Sequence, residues 1–366
     1  MGWEKRVRRV VPYVPGEQPK ESGIIKLNTN ENPYPPSGAV RIAMDAINEG
    51  KLRLYPDPTA SELVGAIAEV YGLSEKEVFV GVGSDDVLAM AFMTFFYSGE
   101  PILFPDITYS FYDVWADLLR IPYEKQPLDG DFHIDPEDYK KPNGGIVFPN
   151  PNASTGAFLP LQYVEEIVAA NPDSVVIVDE AYVDFGGESA LPLIRKYDNL
   201  LIAQTFSKSR SLAGLRIGFA MGNEKLIAYL NDVKYSFNSY TMNRPAIALA
   251  SAAVRDEGHF EECCRKIIAT REKAQEDFRT LGFRLEDSCA NFVFVTHPDA
   301  DAETIFNYLK SRKIYVRWFN KPRIRNYLRI TIGTDGEMER LMTVLAECPG
   351  IAERLSGREQ DGIRTE

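Results

Sequence analysis

The sequence predicts an α/β protein in which a large, doubly wound, mostly parallel sheet precedes a smaller α+β unit. Three observations carry this expectation. From residue 78 to 221, short apolar runs alternate with stretches of helical periodicity, the pattern of βα units. After Gly282 the texture changes to short strands with one helix between them and one after. The 366 residues suffice for two domains at a soft prior of roughly 150 residues each. The expected organisation is an arm at 1–35 packing on the small domain and on a partner subunit, a large domain at 36–255, a small domain at 256–356 and a polar tail at 357–366.

The arm is basic and then polar. Pro12, Pro15 and Pro19 work against regular helix there, and the dense turn segment LNTNENPYPP (27–36) ends it. A helix is predicted over 37–48. Leu54-Tyr55-Pro56-Asp57-Pro58 follows as a stiff extended connector, since both prolines fix their own φ and restrict their predecessors. Thr59 or Ser61 is the predicted cap of a helix that buries Leu63, Ile67 and Val70 and closes at Gly72. Val78 to Val82 reads as a buried strand that Gly83-Ser84-Asp85-Asp86 turns into a helix over 87–97. A strand, a glycine turn and a helix N-terminus make an anion site of backbone N–H groups; a plain helix capped by Ser84 is the alternative.

Strands are predicted at 101–105, 121–123 and 145–148, with Thr108-Tyr109 and a helix to about 119 after the first. The polar turn NPNASTG (150–156) directly follows a buried strand, where α/β sheets place ligand loops. A helix over 161–170 leads to the strand 175–178 and the acidic turn Asp179-Glu180-Ala181-Tyr182. A carboxylate ending such a β-branched run is buried and needs a cationic partner, such as a pyridinium N–H, or else a proton.

Two further buried runs, 200–203 and 217–221, flank the polar loop Ser207-Lys208-Ser209-Arg210-Ser211, with Arg216 eight residues beyond the lysine. Partial desolvation there favours the neutral amine, a nucleophile towards an aldehyde. Hydroxyls and a guanidinium alongside suit a phosphate dianion. Aldehyde plus phosphate describes pyridoxal 5′-phosphate (PLP). The pattern from 243 to 280 is helical. Strands at 291–296, 315–319 and 327–332 and helices at 302–312 and 335–346 complete the chain. Arg317 and Arg329 fall on a strand pair, with Lys321, Arg323 and Arg325 between them. Arg329, inside an apolar strand, is the better candidate for an anionic substrate, whereas Arg323 and Arg325 read as a solvated edge.

Composition narrows the function. A chain that is 45% apolar and 26% charged is ordinary for a globular enzyme. A net charge of −12 leaves no basic excess for nucleic acid. The longest nearly unbroken apolar run, 87–97, is too short for a bilayer. Residues 1–16 lack a signal-peptide core, and Arg6 stands where a myristoylation signal wants Ser or Thr. A cytoplasmic protein is expected. Four cysteines without a C-x-x-C argue against a metal site or disulfide framework. GVGSDD is not a dinucleotide fingerprint, because Asp86 takes the third glycine's place.

In order along the chain, PYVPG (12–16), LNTNENP (27–33), YPDP (55–58), GVGSDD (81–86), Thr108-Tyr109, NPNASTG, DEAY (179–182), TFSK (205–208), LAGLRIGF (212–219) and LRITIG (328–333) resemble the motifs of the fold type I PLP-dependent aminotransferases. The resemblance runs from about Tyr13 to Ala346. PYVPG, YPDP and the Arg317/Arg329 pair narrow it to the branch acting on histidinol phosphate. It implies a seven-stranded large domain and a homodimer with shared active sites. The implied reaction is amino transfer from L-histidinol phosphate to 2-oxoglutarate, giving imidazole acetol phosphate and L-glutamate, in histidine biosynthesis. An aromatic aminotransferase and a threonine-phosphate decarboxylase of the same fold are the alternatives. A PLP-binding regulatory module is disfavoured, since no DNA-binding segment is attached.

The resemblance also assigns roles. Lys208 would bind the cofactor aldehyde and later shuttle the substrate proton, Asp179 would pair with the pyridine nitrogen, and Tyr182 would bond the 3′-oxygen. Tyr109 would stack on the ring. Gly83, Ser84, Asp85, Thr205, Ser207 and Arg216 would surround the phosphate, joined by Tyr55 of the partner subunit. Arg317, Arg329, Tyr13 and Asn32 would meet the substrate. The family's usual asparagine for the 3′-oxygen is Ala153 here, which leaves Asn152 as the candidate.

Overall fold

The computed structural model describes residues 2–355; the tail expected at 357–366 lies outside the described residues. The arm is irregular apart from one 3-10 turn, Trp3–Arg6, and ends in the short strand β1 (Ile25–Lys26). Then come α1 (Gly38–Asp45), α2 (Ser61–Tyr71), β2 (Val78–Gly81), α3 (Ser84–Phe95), β3 (Ile102–Pro105), α4 (Tyr112–Leu119) and β4 (Tyr123–Gln126). The series continues with β5 (Ile146–Pro149), α5 (Leu161–Ala170), β6 (Val176–Asp179), β7 (Leu200–Thr205), β8 (Gly218–Gly222), α6 (Glu224–Phe237), α7 (Arg244–Arg255) and α8 (Glu257–Thr280). The C-terminal part holds β9 (Phe292–Val295), α9 (Ala302–Ser311), β10 (Ile314–Tyr315), β11 (Arg317–Trp318), β12 (Leu328–Thr331) and α10 (Asp335–Ala346).

The seven-stranded sheet has the order β2-β8-β7-β6-β5-β3-β4. Only β8 runs antiparallel to its neighbours. Apart from the polar edge strand β4, its strands are largely apolar because helices cover both faces. Side-chain alternation divides them: Val176, Val178, Leu200 and Ile202 pack towards α1, α2, α5 and α7. Ile177, Leu201 and Ala203 pack towards α3, α4 and α6. Leu27, Phe278 and the apolar side chains of β9, β12 and α10 build a further core. There β11-β12-β9 form an antiparallel sheet, and β1 pairs in parallel with β10, which ties the arm to the C-terminal part. No helix among the described residues is long and apolar enough to cross a membrane.

Several local expectations are corrected. Neither Thr59 nor Ser61 caps α2. Ala60 takes the cap position in the left-handed region (φ 49°), and Asp57 accepts bonds from the backbone and hydroxyls of both Thr59 and Ser61. Those four donors hold its carboxyl well below the usual range. Ser84 is likewise not a cap; Gly83 is, and α3 begins at Ser84 itself. The strand expected at 121–123 starts at Tyr123, because Ile121 N–H still bonds Ala116 O as α4 ends. The helical stretch 243–280 breaks at Asp256, whose carboxylate accepts from His259 N–H and so starts α8. The strand expected at 315–319 serves two sheets: Tyr315 pairs with Lys26, and Arg317 pairs with Arg329. Helix α6, which lies outside the elements expected above, buries Leu226, Ile227 and Leu230.

Candidate active site

The sheet order reverses between β3 and β5: the chain runs outward from β3 to β4, then returns through β5 towards β7. Ligands in such sheets bind beyond the carboxyl ends of the strands at the reversal. A cleft of about 480 Å3 lies there, lined by Ser84, Asp85, Tyr109, Ala153, Asp179, Ala181, Tyr182, Thr205, Ser207, Lys208 and Arg216. Five separate strand ends supply it, which is why the residues are scattered in sequence.

One end of the cleft is a cradle for an anion. Helix α3 starts with no side-chain cap, so the N–H groups of its first turn depend on other acceptors. Gly83 (φ +89°) leaves room for Arg216: a Cβ on it would meet Arg216 Nη2 at 2.6 Å. A Cβ on Gly218 would strike Ser84 N at 2.3 Å, so β8 can lie against the start of α3 only as glycine. Arg216 Nη1 donates to Ser207 Oγ (3.4 Å) and Nη2 to Asp85 Oδ2 (3.0 Å). Tyr109 donates its hydroxyl to Asp85 Oδ1 at 2.6 Å. Thr205 Oγ1 accepts from Ser207 N–H (3.1 Å) and so shapes the loop.

Asp179 closes the bottom of the cleft at the end of β6. Oδ2 accepts from the Tyr112 hydroxyl (2.9 Å) and Oδ1 from Ala181 N–H (3.2 Å). Burial pushes its carboxyl up to about 6, against the pull of those two donors. Lys208 is half-buried, its amine donating to Thr29 O (3.1 Å) and lying 5.6 Å from the Tyr182 ring centre. Its loop is held on both sides. Asn32 Nδ2 donates to the carbonyls of Lys208 and Ser209 (both 3.1 Å), and Ser209 Oγ donates to half-buried Asp184 (2.5 Å). Tyr182 accepts from Asn30 Nδ2 at 3.0 Å.

The two arginines are directly opposed on β11 and β12; neither lines the cleft itself, and Arg329 meets it through Ala153. Arg329 donates to Ala153 O (3.3 Å) and Asn28 O (3.1 Å), and its Nε is buried without a partner. Burial lowers its proton affinity, and nearby Arg317 lowers it further. Arg317 donates weakly to Val14 O (3.4 Å). Among the described residues no carboxylate pairs with either arginine. Two adjacent cations without a carboxylate in a chain of net charge −12 make a receptor for an anion.

The other expected site residues are placed differently. Asn152 does not line the cleft. Its amide donates to Ile107 O (2.9 Å) and Thr155 Oγ1 (3.0 Å), bracing its own loop, and Ala153 takes the lining position. Asn32 is committed to the Lys208 loop and, through its oxygen, to Tyr34 N–H (3.0 Å), so it positions the lysine. Tyr13 stacks on Phe111 with ring centres 4.2 Å apart, beside the arginines. Tyr55 is 79% exposed and leans on Tyr240 (4.7 Å), outside this cleft. Sequence reasoning passed over Tyr112 and Asn30. Tyr112 lies one helical turn beyond Tyr109, and Asn30 sits in the motif that already supplied Asn32, but only tertiary contact reveals their partners.

The donor set fits PLP. Asp179 supplies a buried anion for the pyridine nitrogen, Tyr182 a hydroxyl, Lys208 an amine for the aldehyde, and the glycine-built cradle with Arg216 a phosphate site. Comparison with known proteins agrees. Residues 22–345 match the family described as aminotransferase class I and II. The histidinol-phosphate aminotransferase of Clostridium acetobutylicum is 54% identical over 346 residues, covering 94% of this chain and 98% of that one. Histidinol-phosphate aminotransferase 1 of Hydrogenovibrio crunogenus is 55% identical over 345 residues, with 94% and 97% covered. The crystal structure of the Sinorhizobium meliloti histidinol-phosphate aminotransferase in complex with PLP superposes with a TM-score of 0.82 at 25% identity, covering 90% of this chain and 91% of that one. From cradle, lysine and kinship together, the chain belongs to the class I and II aminotransferases, PLP-dependent enzymes, in their histidinol-phosphate branch.

Proposed function

We propose that the chain transfers the amino group of L-histidinol phosphate to 2-oxoglutarate, yielding imidazole acetol phosphate and L-glutamate, as a step of histidine biosynthesis. The observation that carries this reading is the Arg317–Arg329 pair, without a carboxylate partner and joined to the cleft through Arg329 and Ala153. A site that alternates between a phosphate monoester and a dicarboxylate needs a strong anion receptor beside the reacting carbon. The names of relatives at more than half identity support the same substrate.

In this reading Arg329 and Arg317 bind the substrate anion and orient the amine towards Lys208. When bound, PLP supplies the electron sink that acidifies the substrate Cα–H. Asp179 would hold a proton on the pyridine nitrogen, Tyr182 would donate to the 3′-oxygen, and Tyr109 would lie against the ring. The α3 N-terminus, Ser207 and Arg216 hold the phosphate. The free amine of Lys208 takes the Cα proton and returns it one position along. Asn32 and Ser209 keep that amine in place through its loop.

The active unit in this reading is a cytoplasmic homodimer. Tyr55, on a proline-stiffened connector that also exposes Leu52 and Leu54, stands exposed against Tyr240, an apolar surface suited to a second copy. Tyr55 of the partner subunit would then reach the phosphate. A fully active monomer in sedimentation would exclude the shared site. The core around β9, β12 and α10, distinct from the two that flank the large sheet, supports a division of the chain at 36–255 and 256–356. To test the substrate, purified holoenzyme is given histidinol phosphate, phenylalanine or threonine phosphate at equal low concentration, and the first half-reaction is followed. Histidinol phosphate should react fastest and leave the aminated cofactor. Faster phenylalanine turnover, or carbon dioxide release from threonine phosphate, would overturn the assignment.

A further inference from the structure

Tyr112 is fully buried in the first turn of α4. Its ring is wedged among Phe92 (6.2 Å), Phe104 (5.9 Å), Tyr109 (5.8 Å) and Trp115 (6.2 Å), so the hydroxyl is aimed by packing. Strand alternation sends Ile177 to this same face of the sheet, and Asp179, two residues on, follows it to the phenol. We propose that Tyr112 is a positioning residue for the reaction: it orients and stabilises the Asp179 carboxylate towards the pyridine nitrogen. This rests on the reading that Asp179 pairs with that nitrogen.

An ionised Asp179 accepts from Tyr112 on Oδ2 and from Ala181 N–H on Oδ1, and both donors are used. Were Oδ2 to carry a proton and donate it to the phenol, the Tyr112 O–H would be left without an acceptor in an aromatic core. A proton on Oδ1 would meet the Ala181 N–H. The groups facing Asp179 are Tyr112 from α4, Tyr109 from the preceding turn, Asp85 from α3, Tyr182 after β6 and Lys208 after β7. Asp85 opposes ionisation and Lys208 favours it, while burial opposes it most. Tyr112 is the donor that shape alone cannot replace.

The test is Tyr112→Phe, which removes one oxygen and keeps the ring. PLP dissociation constants are measured by equilibrium dialysis across pH, together with kcat/KM. Losing a hydrogen bond to a charged group should weaken PLP binding at neutral pH by roughly ten- to a hundredfold. Without the donor, Asp179 keeps its proton to higher pH, so the loss of affinity on acidification should begin at higher pH than in wild type. PLP's own ionisations are common to both proteins and cancel in the difference. Phe104→Leu, which loosens the ring but spares the bond, should lower stability without moving the pH profile. Unchanged affinity and profile in Tyr112→Phe, or the same shift in Phe104→Leu, would reduce Tyr112 to packing. Wild-type PLP affinity in Asp179→Asn would instead remove the pairing reading, and the proposal with it.

Discussion

Asp179 and Glu180 are consecutive, both fully buried and both acidic, yet they face opposite sides of the sheet. Glu180 sits in a closed network: Ser189 Oγ donates at 2.6 Å, Ala190 N–H at 2.6 Å and Gln204 Nε2 at 2.9 Å, while Tyr71 donates to the Gln204 oxygen at 2.8 Å. Asp179 has two donors and opens onto the cleft. Burial pushes both carboxyls up, Glu180 to about 7 and Asp179 to about 6. The difference is in what each can still do. A carboxylate whose neighbours are all protein serves the fold, whereas one with a side open to the cleft can take a cationic partner that the chain does not supply.

The comparison can be broken most severely on the cleft side. Lys208→Ala should still bind PLP, more weakly and without the covalent link, through the phosphate cradle, yet lower transamination by roughly three orders of magnitude or more, as removal of a proton-shuttling nucleophile does. Borohydride treatment of wild-type holoenzyme should fix the cofactor to Lys208, which peptide mapping would check. A label on another lysine would move the site.

Arg329→Ala should lower kcat/KM by roughly 30- to 1000-fold for both histidinol phosphate and glutamate, the range for losing a charge-assisted contact. Steady-state kinetics on both substrates checks this. A loss confined to one of them would mean that the two anions use different receptors.

Asp179→Asn should abolish most activity and remove the pH dependence that Asp179 gives to the stability of the cofactor-free protein. The folded state holds the Asp179 proton more tightly than the unfolded chain does. Below about pH 4 both are protonated and the group contributes nothing. Between about pH 4 and 6 the unfolded chain loses its proton first, so stability falls as pH rises. Above that the full penalty, on the order of 3 kcal/mol, persists. Urea unfolding should show the variant's stability relative to wild type rising by up to that amount between pH 4 and pH 8, on top of the constant cost of an amide facing Tyr112 and Ala181.

Glu180→Gln should have the smallest effect on chemistry. Its amide would turn two protons towards groups that already donate, at a cost of about 1–3 kcal/mol in unfolding free energy. A PLP affinity and kcat/KM close to wild type, alongside a lower Tm, would separate the structural acid from the functional one.

Much of this site was legible because its pieces sit at strand ends. The apolar runs located β3, β5, β6 and β7, and the polar residue after each is a lining candidate wherever a parallel sheet is expected. Asp179, Tyr182, Lys208 and Arg216 could be named on that ground. Local sequence carries no such signal for capping geometry: Asp57, rather than either hydroxyl residue, gathers the turn before α2 because the left-handed Ala60 folds four donors onto one carboxylate. The asparagines failed for a related reason. Asn32 and Asn152 have groups suited to a ligand, but Lys208 O and Ile107 O are nearer and need donors.

By itself, then, the sequence determined the alternation of strand and helix, the sheet that buries both its faces, and the chemistry present at each strand end. These follow from periodicity and side-chain type, which are local properties. Tertiary structure alone decided that Tyr112 points at Asp179, that Asn30 bonds Tyr182, and that Arg317 and Arg329 stand opposite each other without a carboxylate. Each of these depends on register and packing between segments far apart in the chain. A shift of one residue in β6 would turn Asp179 away from the phenol and Glu180 towards it, since successive side chains on a strand face opposite sides.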